Sequence, residues 1–130
     1  MSTSSMLRLG AVLAALAVAL GAFGAHGLAA HLEAHGQIEN YQTAVRYQMW
    51  HALAILGCAA LRGVGATRTG LAAWCFALGA AVFSGTLYAM ALGGPRMLGA
   101  ITPIGGVLLL IGWVALATGQ GPNKGTATRG

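Results

Sequence analysis

Two long stretches without a charged residue, Thr69 to Gly94 and Met97 to Gln120, constrain this chain more than anything else in it. A helix needs about 20 predominantly apolar residues to cross the hydrocarbon core of a bilayer. Leu9 to about Ala25 is a third uncharged run and just reaches that length. Tyr47 to Leu61 is a shorter fourth, bracketed by Arg46 and Arg62. It reaches spanning length only if its helix begins before Arg46 and that side chain snorkels to the interface. Inside lipid the backbone must bond within its own segment, so each run is predicted to be helical. Composition agrees: 7% of the 130 residues are charged and 57% are hydrophobic, where a soluble domain carries about 25% charged residues. So few charges cannot cover a water-facing surface.

The expected fold class is therefore all-α. The chain reads as a polytopic membrane protein with four transmembrane helices in a small bundle, spanning about residues 7–26, 42–61, 69–93 and 97–119. Residues 1–120 form one transmembrane domain, and 121–130 form a polar C-terminal tail. Pro95 after Gly93-Gly94 makes a tight connection between the last two spans. Pro103 permits a break near the start of the fourth, where Thr102 can bond freed backbone groups. A cleavable signal peptide is the rival reading of the first run, since Arg8, an apolar stretch and small residues near Ala22 fit that pattern loosely. Against it, the run is longer than a typical signal core and has no clear stop.

Charge sets orientation. Four spans put both termini on one side, together with Arg8, Arg62, Arg68, Lys124 and Arg129. The other side holds Arg46 and Arg96 with both acids, Glu33 and Glu39. Five cations against two favour cytoplasmic termini and a multi-pass protein of the cell inner (plasma) membrane. The net charge of +5 is scattered singly at the ends of apolar runs. It forms no basic patch with interleaved aromatics, which argues against nucleic acid. Cys58 and Cys75 lie inside apolar runs, with neither C-x-x-C nor zinc spacing, and read as small hydrophobes. Small residues recur at helical spacing: Ala17, Gly21 and Ala25 in the first span, Ala81 and Gly85 in the third, and Gly105, Gly106 and Gly112 in the fourth. These favour close helix contacts, either within one bundle or across a homodimer.

Four ordered motifs carry a family resemblance. Gly21-Ala22-Phe23-Gly24-Ala25-His26-Gly27-Leu28 is followed by Thr43-Ala44-Val45-Arg46-Tyr47-Gln48 leading to His51-Ala52-Leu53. The second half has Phe83-Ser84-Gly85-Thr86-Leu87-Tyr88 and Leu98-Gly99-Ala100-Ile101-Thr102-Pro103-Ile104-Gly105-Gly106. From about Leu9 to Trp113 the chain resembles the small YgdD-like membrane proteins, a domain-of-unknown-function family with a related eukaryotic branch. That resemblance implies a four-helix protein of the bacterial inner membrane. It supplies no reaction or substrate.

Groups capable of chemistry concentrate between Gly21 and His51. His26 is expected at the outer end of the first span and His51 a little over one turn inside the second, where the two could face each other. Intramembrane ionisable groups usually have a partner and often a role. Two neutral imidazoles could ligate haem or a metal, or pass protons, or simply bond another helix. Ala44, Gln48, Ala52 and Leu56 share one face of the second helix, with Tyr47 and His51 beside it. That stripe is predicted to turn inward toward Ser84, Thr86 or Tyr88. The candidate cluster is therefore His26, Arg46, Tyr47, Gln48, His51, Ser84 and Tyr88. His31 and His35 have the four-residue spacing of two ligands on one helix face, with Glu33 and Glu39 nearby. No HExxH and no obvious third ligand accompany them, and a solvated turn explains them equally. No nucleophile–base pair or phosphate-binding loop is present, so no catalytic residue, metal or cofactor is assigned. The leading expectation is a non-catalytic accessory or interaction component of a membrane assembly, with the lipid bilayer and a homo-oligomer or larger complex as partners. The first alternative is a small proton or solute channel or carrier built on Gln48, His51 and Tyr88. The second is a haem- or quinone-binding protein built on His26 and His51.

Overall fold

The computed structural model describes residues 1–119, and every regular element in them is helical. The expected polar tail, with Lys124 and Arg129, lies outside the described residues. Helix α1 covers Thr3–Ala25, a short α2 covers Ala29–Ala34, α3 covers Ile38–Gly63, α4 covers Thr69–Ala91 and α5 covers Thr102–Thr118. A 3-10 turn, Arg96–Ala100, leads into α5. The connector expected as a solvated turn thus contains the helix α2.

Local chemistry sets these boundaries. The Ser2 hydroxyl accepts a hydrogen bond from the Ser5 backbone N–H at 3.1 Å, capping α1. After α4 the chain turns at Gly93, whose φ of 98° a residue with a Cβ rarely adopts. Pro103 sits in the first turn of α5, where its missing N–H costs no helical bond. The Thr102 hydroxyl donates to the Leu98 carbonyl at 3.2 Å across the junction, as expected of a threonine beside that break.

The four long helices alternate in direction. The Arg62 guanidinium donates to the Met1 carbonyl at 2.6 Å and to the Thr69 hydroxyl at 3.0 Å, joining the start of α1, the end of α3 and the start of α4. Arg68 reaches Thr118 at 3.0 Å, bringing the end of α5 to the same place. Each long helix packs chiefly on its neighbours in the order α1, α3, α4, α5. The inner pair is therefore α3 and α4. In α3 the buried residues Tyr41, Ala44, Gln48, His51, Ala52, Ile55, Cys58 and Ala59 recur at intervals of three and four. In α4, 44% of the apolar window is buried, against 17% in α1 and 22% in the stretch ending in α5. Both outer helices leave most of their surface open.

Close backbone approach holds α5 to α4. A Cβ added at Gly105 would lie 2.5 Å from the Phe83 backbone nitrogen and 2.9 Å from the Gly79 carbonyl oxygen. Phe76, fully buried, packs against Gly112 and joins Met6, Ile55, Cys58 and Leu109 in the main core. On the other side Gly10 admits Leu56, and Gly24 admits the Tyr41 ring. Among the described residues, three stretches are long and apolar enough to cross a membrane: Thr3–Ala25, Thr69–Ala91 and Arg96–Thr118. Helix α3 is longer, at 26 residues, but Gln42, Arg46, Gln48 and His51 lower its mean hydropathy.

Candidate functional site

The polar residues of α3 divide among three helices, α1, α4 and α5. Gln48, nearly buried at 7% exposure, donates from Nε2 to the Leu13 carbonyl of α1 at 2.9 Å. Its Oε1 accepts the Tyr88 hydroxyl of α4, also at 2.9 Å. One amide therefore ties three helices together. One turn earlier the Ser84 hydroxyl donates to the Ala44 carbonyl at 2.8 Å. Tyr41 donates to the Leu20 carbonyl at 2.7 Å and meets the Tyr88 ring edge-on, with centroids 5.2 Å apart.

His51 belongs to a different junction. Its Nε2 lies 3.2 Å from the indole nitrogen of Trp113 on α5, and its Nδ1 lies 2.8 Å from the Tyr47 carbonyl oxygen. An indole N–H can only donate, so Nε2 accepts. The ring proton then sits on Nδ1 and is donated to Tyr47. This is a neutral imidazole with both nitrogens occupied. A proton added at Nε2 would set two donors against each other, and a metal there would displace Trp113. Around it, Tyr47 stacks on Phe83 with centroids 4.4 Å apart, and Trp113 lies 4.8 Å from Phe76. Tyr47, Trp50, His51, Phe83, Pro103 and Trp113 line part of an apolar groove of about 770 Å³ between α3 and α5.

The expected cluster is thus only partly assembled. Gln48 meets Tyr88, and Ser84 bonds the α3 backbone, whereas Tyr47 stacks on Phe83 of α4 and His51 turns to Trp113 of α5. Thr86 turns away from α3 altogether and meets the Thr102 hydroxyl at 2.7 Å. Arg46 is half-exposed and reaches back along its own helix to Glu39 at 3.3 Å and Gln42 at 3.4 Å. His26 is exposed at the C-cap of α1. It does not face His51. The last turn of α1 packs on Tyr41 through Gly24, and His51 lies further along α3 by about 15 Å, at 1.5 Å per residue. Two ligands of one metal hold their nitrogens about 4 Å apart, so the geometry removes a site shared by His26 and His51. His31 and His35 sit on exposed α2 and its cap, with rings 4.3 Å apart and the His35 Nδ1 bonded to the His31 carbonyl. Among the described residues no three His, Cys, Asp or Glu side chains are grouped to hold a metal.

Three partners were not predicted from sequence: Trp113, Tyr41 and the Leu13 carbonyl. Tyr41 lies on the 41–44–48–52 line of α3 and could have been found by extending that line toward the N-terminus. Trp113 has no such signal, because its role depends on how α5 is rotated against α3.

Residues 20–106 match the family described as protein of unknown function (DUF423). A UPF0382 membrane protein of Staphylococcus saprophyticus is 43% identical over 111 residues, covering 85% of this chain and 92% of the relative. One from Haemophilus influenzae is 45% identical over 109 residues, covering 82% and 86%. UPF0382 membrane protein YwdK of Bacillus subtilis is 42% identical over 112 residues, covering 83% and 89%. No solved structure matches. The chain belongs to the DUF423 family of membrane proteins.

Proposed function

We propose that this member of the DUF423 family is a four-span protein of the cell inner (plasma) membrane, with both termini cytoplasmic. In this reading it acts without catalysis, as an accessory or interaction component of a membrane assembly. Support for the fourth span comes from α3 itself. It runs antiparallel to α1 and α4, and its 26 residues extend about 39 Å at 1.5 Å per residue. Its buried polar side chains, Tyr41, Gln48 and His51, are satisfied by neighbouring helices. Arg62 and Arg68 gather beside Met1 and Thr118, and with Lys124 and Arg129 from the sequence they favour that end as cytoplasmic.

The observation that carries the assembly role is where polar groups are used and where small residues are left open. Every buried side-chain nitrogen and oxygen among the described residues has a hydrogen-bond partner, so the interior is occupied with holding helices together. The Ala81–Gly85 face of α4 is not: both residues are exposed, and a Cβ at Gly85 would meet nothing within 4 Å. Such a face lets another helix backbone approach closely. It forms one wall of a groove of about 230 Å³ whose opposite wall is Leu13, Leu16 and Leu20 of α1.

Purification in mild detergent, with identification of everything retained, tests the role. The expected result is a partner or second copy at fixed stoichiometry, lost in Ala81→Leu and Gly85→Leu while the melting temperature is kept. A lone monomer, or a complex indifferent to both substitutions, would overturn the reading.

A further inference from the structure

A third cavity, of about 420 Å³, opens where α1 ends, α2 crosses and α3 begins. Its lining is mainly apolar and includes Gly21, Leu32, Tyr41 and Val45. Its rim carries one cation, Arg46, and one anion, Glu33.

Neither rim charge is saturated. Arg46 contacts Glu39 and Gln42 through Nη2 alone, at 3.3 and 3.4 Å, leaving Nη1 and Nε without a protein partner among the described residues. The Glu33 carboxylate is exposed and makes no hydrogen bond or ion pair among the described residues. The Arg46 side chain is directed toward the start of α3, as side chains on a helix lean toward its N-terminus. On the four-span reading this lifts the guanidinium from the apolar layer to the depth of phospholipid headgroups. The placement in a leaflet rests on that reading; the chemistry of the cavity does not.

We infer that this cavity binds a zwitterionic phospholipid bearing a primary ammonium, a phosphatidylethanolamine. The phosphate oxygens accept from the free Arg46 N–H groups, a geometry that guanidinium favours. The ammonium donates to the Glu33 carboxylate. An acyl chain leaves over Gly21 and Val45, where the missing side chain at Gly21 keeps the floor low. Phosphatidylcholine presents a methylated ammonium with no N–H to give Glu33. Phosphatidylglycerol presents no cation at all.

The test is native mass spectrometry of the full chain, delipidated in mild detergent and offered phosphatidylethanolamine, phosphatidylcholine and phosphatidylglycerol at equal concentration. Phosphatidylethanolamine is expected to be retained about threefold over the other two, the scale of one partly exposed ion pair. Arg46→Gln should lower retention of all three. Glu33→Gln should reduce phosphatidylethanolamine to the level of phosphatidylcholine and leave the others unchanged. Both side chains are solvent-accessible and outside the core, so the variants should keep the wild-type melting temperature. Equal retention of the three lipids, a preference for phosphatidylglycerol, or indifference to both substitutions would overturn the inference. Leaflet placement is read separately by labelling Ala34→Cys in intact cells with a membrane-impermeant maleimide. Absence of labelling overturns the topology without touching the lipid selectivity measured in detergent.

Discussion

At His51 and Gln48 the same kind of residue, a polar side chain on an apolar helix, is used to the same end by different partners. Gln48 uses both ends of its amide, so losing either contact strands a group in a low-dielectric interior. A double-mutant cycle of Gln48→Ala and Tyr88→Phe should give a coupling of about 0.6–1.7 kcal/mol, the range for hydrogen bonds between membrane helices. Reversible unfolding in detergent micelles measures it, and strictly additive effects would contradict the Tyr88–Gln48 bond. His51 makes a sharper prediction. Because Trp113 can only donate, nitrogen NMR of the folded protein at neutral pH should find the His51 proton on Nδ1, with Nε2 as the unprotonated acceptor. A proton on Nε2 would mean that the Trp113 contact is absent and that the ring is open to other chemistry.

Among the elements, glycines of the same helix differ in what they meet: on α4, Gly79 faces the α5 backbone while Gly85 lies open. Gly79 and Gly105 let two backbones meet, so any side chain between them must push helices apart. Gly105→Ala should therefore destabilise the fold by about 1–3 kcal/mol, as overpacking does. Gly85→Ala, on the open face of α4, should stay within about 0.5 kcal/mol of wild type in the isolated chain. Thermal unfolding of the two variants side by side checks this contrast. Similar losses in both would show that spacing along the helix, and not its rotation, determines which small residues are in contact. The α4–α5 junction follows the same logic. Thr102 and Pro103 are ordinary helix-start residues by type, yet the Thr86–Thr102 bond makes the junction a point of attachment to α4.

For the whole molecule, three of the long elements qualify as spans by length and apolarity, and α3 is carried between them. A chain that crosses with α1 and again with α4 must return through the bilayer between them or lie against it. The antiparallel contacts of α3 with both neighbours favour the return. Reporter fusions after Gly130 and within 28–37 should then report opposite sides, with the C-terminal fusion in the cytoplasm. Two reporters on the same side would reduce the protein to three spans and place α3 at the membrane surface.

Much of this was legible from the chain alone, for reasons of length and charge. Runs such as 69–94 admit one solution in lipid, although the helices run past some of the cations that bracket them: Arg8 lies inside α1 and Arg46 inside α3. The polar line of α3 was legible too, because three- and four-residue spacing maps directly onto one helix face. The assignment of partners was not. Sequence placed His26 and His51 together because both are histidines near helix ends, whereas the antiparallel register of α1 and α3 separates them along the bundle axis. It grouped Gln48 with His51 because they are three residues apart, whereas the rotations of α1, α4 and α5 around α3 send their hydrogen bonds to different helices. Periodicity states which residues a helix turns away from lipid. Only the packing of one helix on another decides what each of those residues meets, because register and rotation are properties of the pair and are written in neither helix alone.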